Sequence, residues 1–346
     1  MKLIKNFFWY LVTLFAIITY FCERNKSLFT RQIIVLRPGD AAPFPLDPRL
    51  TGIVIAYSNP AMIADQVLPR VPVAKKEFKW LKHKLTDGFS IPDTKVGRKA
   101  GRNQVEFSAS EETSSTEDFG LDDIVPQDDI ANAPDGYDPL GYASEGIANL
   151  LMLDREKRAA DVVFNADNYA AANKATLSGD DRFSSTASTP ISTILTAMDA
   201  MVMRPNVLVF GQAVWTKFRQ HPEIVSAILG NSGTKGIVTR EQVAALFEVQ
   251  QILVGQSFLN TAKKGQAASL ARVWGKYLAM LNIDNLANAT NRVTYGITAQ
   301  FGTKVARSEF TSKYGLNGAT VVTAGESVKE LVMANDLGYL FSNAVA

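Results

Sequence analysis

The chain has one cysteine, Cys22, and two histidines, His83 and His221, among 346 residues. A single thiol excludes an intrachain disulfide framework, so the fold does not rely on covalent staples and suits a reducing compartment. With so few thiols and imidazoles no Cys/His metal site can be assembled, and no metal or other cofactor is expected. The motifs Gly-x-x-x-x-Gly-Lys-Ser/Thr, Gly-x-Gly-x-x-Gly and Gly-x-Ser-x-Gly are also missing. The nearest approach, Gly230 to Gly236, contains Lys235 but follows a helical segment and lacks the Lys-Ser/Thr ending. These absences leave no candidate catalytic residue. His221, beside Pro222, reads as a helix-end residue held near the last carbonyls.

Charge of one sign is missing over long stretches. The formal net charge is only +2, too small for the field of a general nucleic-acid binder, and 47% hydrophobic content supports one large or two medium domains. Yet Asn103 to Asp154 has no Lys or Arg and thirteen Asp or Glu, whereas Lys75 to Arg102 holds nine Lys or Arg against three acids. Such blocks are solvated faces or complementary surfaces. Phe78 and Trp80 alternate with Lys79 and Lys82, which predicts a strand with two unlike faces. Gly97 to Arg102 is a turn-rich tip, and Asn103 to Ala109 can return as the second strand. An isolated hairpin is marginal in water, so this one needs a surface to lie on. The same basic block also suits phosphate contacts and base stacking, an alternative that steep salt dependence would support.

Residues 1–36 contain no glycine, no proline and one acidic residue, and Phe7 to Cys22 is an unbroken uncharged run. That run is just short of the roughly 17 to 25 residues that span a bilayer and shows no evident small-x-small cleavage site. A membrane anchor or signal, an interior arm, and a start site assigned too far upstream all stay open. From Pro38 to Pro72 seven prolines favour an extended arm, interrupted by one short helix from Asn59-Pro60 to Gln66. Ala143 to Tyr169 predicts a helix of about 27 residues, and its charged middle, Asp154 to Arg158, argues against a simple core helix. Thr189-Pro190 opens a helix through Met203. Val207 to Phe210 is a buried strand, after which Gly211 releases the backbone into a helix carrying Val214, Trp215 and Phe218 that stops at His221-Pro222. Thr239-x-x-Gln242 is a capping box before Val243 to Phe247; Val249 to Val254 and Leu270 to Leu281 are further strands. Short β-like runs fill the chain from Val293 to the end, so the class is mixed α+β.

The stretch Arg204-Pro-Asn-Val-Leu-Val-Phe-Gly to His221-Pro-Glu-Ile224 resembles the core strand and helix of the major capsid proteins of tailed bacteriophages. Asp336-Leu-Gly-Tyr-Leu340 is similar to a run near the C-terminus of that family, where it closes a peripheral sheet. The resemblance implies an N-terminal arm at 37–73 after the leader 1–36, and an extended hairpin loop at 74–110. It further implies a peripheral domain with a long spine helix at 111–189 and 282–346, and an axial domain at 190–281 with Trp215 and Phe218 in its core.

The implied function is that of a structural, non-enzymatic shell protein. Copies would self-assemble into pentamers and hexamers of an icosahedral head around double-stranded DNA bound without sequence specificity. Location in the virion after assembly in the host cytoplasm, a separate scaffolding protein and a portal belong to the same implication. A bacterial nanocompartment shell of the same fold and a membrane-anchored protein of unknown activity are the alternatives. In the family the extended loop lies over the neighbouring subunit. That assigns Lys75, Lys76, Lys79, Trp80, Lys82, Arg98 and Arg102 to reaching the neighbour, with the acidic patch of Glu111, Glu112, Glu117, Asp118, Asp122 and Asp123 as one candidate receptor. Some relatives add a Lys–Asn isopeptide bond; no matching Asn is legible here, and non-covalent assembly is the expectation.

Overall fold

Two mixed sheets, one of four strands and one of five, and a long helix dominate the described part of the chain. The computed structural model describes residues 47–83, 91, 94–96, 98, 102, 104, 109–230, 236–263, 265–287 and 292–346. They lie in one unit, Leu46–Ala346. The first half holds α1 (Pro48–Ala56), α2 (Ala64–Val67), β1 (Arg70–Val73), β2 (Glu77–His83), β3 (Ala109–Ser115), β4 (Glu117–Pro126), α3 (Gln127–Ala131), α4 (Pro139–Val163) and β5 (Lys174–Thr176). There follow α5 (Pro190–Ala200), β6 (Val207–Gly211), α6 (Gln212–Phe218), α7 (Pro222–Leu229), α8 (Arg240–Phe247), β7 (Gln251–Gly255), β8 (Phe258–Asn260) and β9 (Leu270–Arg272). The chain closes with β10 (Leu278–Leu281), β11 (Gly296–Thr311), β12 (Ala319–Val332) and β13 (Gly338–Ser342). The apolar run 7–22 and most of the predicted return strand 103–109 lie outside the described residues. No helix among the described residues is long and apolar enough to cross a membrane.

The five-stranded sheet is ordered β5-β13-β10-β6-β7. Its centre is covered on both faces, which is why β6 reads as an unbroken apolar run. Leu208 and Phe210 pack with Trp215, Phe218, Ile224, Val243 and Phe247, while Val207 and Val209 face Trp274, Tyr295, Leu337 and Leu340. Gly211 ends β6 because a Cβ there would lie 2.0 Å from the Trp274 carbonyl oxygen. The predicted capping box at Thr239 and Gln242 is present at the start of α8.

His221 departs from its sequence reading. Pro222 takes the first position of α7, and His221 Nδ1 accepts from the Glu223 amide at 3.3 Å, so the imidazole caps a helix start and not a helix end. With Nδ1 accepting, Nε2 carries the ring proton and donates to the Ser185 carbonyl at 2.9 Å. The ring is therefore not free to act as a base toward nearby Ser188.

The four-stranded sheet is ordered β1-β11-β12-β4, and α4 lies across it. Ile147, Ala148 and Leu151 of α4 meet Val125, Val322 and Ala324, and α1 adds Leu50 and Val54. Helix α1 corrects the extended-arm expectation. The Asp47 side chain accepts from the amides of Arg49 and Leu50, and Pro48 at the helix start has no amide to leave unpaired. The other predicted short helix shrinks to Ala64–Val67, because Asn59 closes a local turn onto the Ala61 amide.

The 336–340 run does not join the long sheet. β13 pairs instead with β10 and β5 in the five-stranded sheet, which therefore draws strands from both sides of the 190–281 division. Gly338 permits this: a Cβ would sit 2.6 Å from the ring of Tyr169, which stacks on Tyr295 with centroids 5.3 Å apart.

Candidate assembly surface

β2 and β3 pair antiparallel, with Lys79 opposite Thr113 and Trp80 opposite Glu112. Strand alternation sends Phe78 and Trp80 to one side, where they close over Val71, Ile297, Ala299 and Met333. Trp80 is 5% exposed, so the residue that the resemblance assigns to a neighbour is part of a small core of its own chain. On the other side Lys79 meets Glu111 at 2.8 Å. Lys76 meets Asp118 and Lys329 meets Glu117, both at 2.5 Å. The hydrogen bond from Lys76 holds the Asp118 carboxyl below its ordinary value. Exposed pairs of this kind contribute about 0–1 kcal/mol each, so they set register more than stability.

Five of the predicted contact residues thus find partners within the chain: Lys76, Lys79, Glu111, Glu117 and Asp118. Lys82 lies opposite Ser110 in the same ladder. Lys75, Arg98, Arg102, Asp122 and Asp123 are exposed and have no ion-pair partner among the described residues.

A buried ionic junction lies where α4 crosses the long sheet. Arg155 is 1% and Glu156 0% exposed, contrary to the expectation for a charged helix middle. Glu156 accepts from the amides of Ile63 and Ala64 at 2.9 and 2.8 Å and from Trp274 Nε1 at 2.5 Å. Burial nevertheless pushes its carboxyl above the usual value. Arg155 donates to the Leu68 carbonyl and the Thr298 hydroxyl, both at 3.2 Å, and meets Asp65 at 2.6 Å. Arg70 joins Asp65 at 2.8 Å and Glu326 at 2.6 Å. Arg158 bridges Asp154 and Glu330 and lies 3.6 Å over the Phe119 ring. Burial opposes ionisation of Asp65, but the charges of Arg155 and Arg70 overcome it and hold the carboxyl low. Charges leave water at this depth only when paired and hydrogen-bonded. The junction fastens residues 63–70, α4, β11 and β12 to one another.

The curated major capsid protein of Pseudomonas phage JBD67 is 52% identical over 305 residues, covering 88% of this chain and 99% of that protein. This chain belongs to the phage major capsid proteins. The family model for phage major capsid protein E matches residues 162–261, the part that holds the 204–224 stretch. A solved phage-related protein of Bordetella bronchiseptica RB50 superposes with a TM-score of 0.68 at 21% identity, over 88% of this chain and 98% of the other. The capsid structure of cyanophage P-SCSP1u matches at 0.53 and 10% identity, over 83% and 89% of the two chains. These two likenesses show a shared fold.

As a major capsid protein the chain is a structural protein of the virion. In this capsid protein, helix composition gives a partial signal for Arg155 and Glu156: five consecutive charges, Asp154 to Arg158, sit in an alanine-rich helix. No local pattern points to Trp274, whose role comes from Gly211, Gly255 and Glu156, all distant in the chain. Among the described residues no group of three His, Cys, Asp or Glu is placed to hold a metal ion.

Proposed function

We propose that this capsid protein is the repeating subunit of an icosahedral phage head, gathered in pentamers and hexamers around packaged double-stranded DNA. Its mechanism is geometric. Contacts between unlike surfaces close into rings and the rings close into a shell, and no covalent step is required. What carries the reading is the 52% identity across nearly the whole of a phage major capsid protein. In this reading the five-stranded sheet centres the axial part, with Trp215 and Phe218 in its core, and the long sheet with α4 centres the peripheral part. Lys75, Arg98 and Arg102 of the basic loop reach the neighbour's Asp122 and Asp123, since Lys76, Lys79, Glu111, Glu117 and Asp118 pair at home. A separate scaffolding protein and a portal complete the assembly, and DNA is held without base readout. Negative-stain electron microscopy and sedimentation of the full chain, expressed with and without adjacent genes, test it. Closed shells or rings of five and six are expected; a discrete monomer or dimer under every condition overturns the reading.

A further inference from the structure

The β8–β9 hairpin connects β7 to β10 yet adds little to the core. Phe258 faces Arg272, Leu259 faces Ala271 and Asn260 faces Leu270 across the ladder. Phe258 is 46% and Leu270 67% exposed, and Asn260, Ala271 and Arg272 are exposed as well. Two strands alone are marginal in water. This pair is nevertheless firmly built. At its root the Val273 amide donates to the Ser257 carbonyl at 3.1 Å, and the next residue, Trp274, is fully buried where Gly255 would carry a Cβ. At its tip Asn260 Oδ1 accepts from the Ala262 and Ser269 amides at 3.1 and 3.0 Å, and the Thr261 amide donates to the Ser269 carbonyl at 2.8 Å. The Arg272 guanidinium lies 4.5 Å over the Phe258 ring. A prong already ordered before docking loses less entropy when it docks.

Charge indicates what it docks on. Val249 to Ile283 contains Lys263, Lys264, Arg272 and Lys276 and no Asp or Glu. The complementary chemistry is on this same chain. Between α3 and the first turns of α4, Tyr137 and Tyr142 are 50% and 67% exposed, with ring centroids 6.1 Å apart. Asp135 and Glu145 are exposed on the same stretch and have no ion-pair partner among the described residues. Tyrosines are enriched in protein interfaces, and their faces attract cations, while the free carboxylates supply opposite charge for the prong. Prong and receptor are different surfaces of one chain, so the contact is heterologous and suits a ring.

We propose that the β8–β9 hairpin, through Phe258, Lys263, Leu270 and Arg272, docks on the Tyr137 and Tyr142 patch of a second copy of this chain. The proposal rests on the shell-subunit reading above. The test places a photo-crosslinking benzoylphenylalanine at Leu270 of the full chain, irradiates purified particles and maps the linked peptides by mass spectrometry. Covalent dimers linked within residues 135–145 are expected. Particles that stay monomeric on irradiation, or that link position 270 to DNA, to another protein or to another part of the neighbour, overturn the proposal. If the Leu270 substitution itself prevents assembly, the same label at exposed Ala268 is read with the same outcomes. Should the unsubstituted chain form neither particles nor rings, the shell-subunit reading fails first and takes this contact with it.

Discussion

Glu156 holds donors from two distant parts of the chain, the Ile63 and Ala64 amides and the Trp274 indole, against one helix. Removing the carboxylate leaves all three buried and unpaired, at about 1–3 kcal/mol each by the usual cost of an unsatisfied group. Glu156→Ala is therefore expected to lower stability by about 3 kcal/mol or more, and Glu156→Gln by less because an acceptor remains. Denaturant unfolding of the two variants measures this, and an alanine variant as stable as the parent would contradict it. Gly338 makes a similar demand through shape. A Cβ lies 2.6 Å from Tyr169 and 2.7 Å from Tyr295, so Gly338→Ala forces two packed rings to move, at about 1–3 kcal/mol. A thermal scan of that variant should show a clear drop.

For whole elements, β2–β3 shows how far alternation can be read. Phe78 and Trp80 on one face and Lys79 on the other follow from the strand period, and the structure keeps that pattern. Which charges remain free for a neighbour does not follow from it, because Asp118 and Glu117 find Lys76 and Lys329 across the fold. Two variants separate the consequences. Reversal of Lys75, Arg98 and Arg102 to Glu is expected to leave circular dichroism and melting unchanged while blocking particle formation. Normal particles from that triple variant would sink the proposed pairing. Lys79→Glu, in contrast, sets a carboxylate against Glu111 and is expected to loosen the hairpin within the free subunit.

The molecule as a whole carries its carboxylates in two opposed settings. Asp65 and Asp118 are held below their ordinary values, so the stability they contribute is present above the unfolded carboxylate range and is lost as pH falls from there through their lowered folded values. Glu156 is held above its ordinary value, so its contribution favours the folded state at low pH and declines as pH rises. The melting temperature is expected to fall on acidification, less steeply in Asp65→Asn and more steeply in Glu156→Gln. Melting curves taken from neutral pH down through the carboxylate range decide this; parallel curves for all three proteins would show that neither group is linked to folding.

Properties that depend on neighbours in the chain were legible without coordinates: the apolar β6 strand, the Thr239 capping box, the two-faced β2 strand and the family likeness of 204–224. Each is set by residues within a few positions of one another, where backbone propensity and side-chain period act directly. Proline counting failed at α1, since a proline that forbids a helix interior favours a helix start once Asp47 supplies the cap. The membership of β5 and β13 in one sheet with β6, the burial of Arg155 and Glu156, and the in-chain pairing of the acidic row became visible only in the folded molecule. A charged residue reads as exposed until distant segments are known to surround it. For Arg155 and Glu156 those segments are residues 63–68, Trp274, Thr298 and Glu330, and their meeting is a property of long-range packing, which local sequence does not encode.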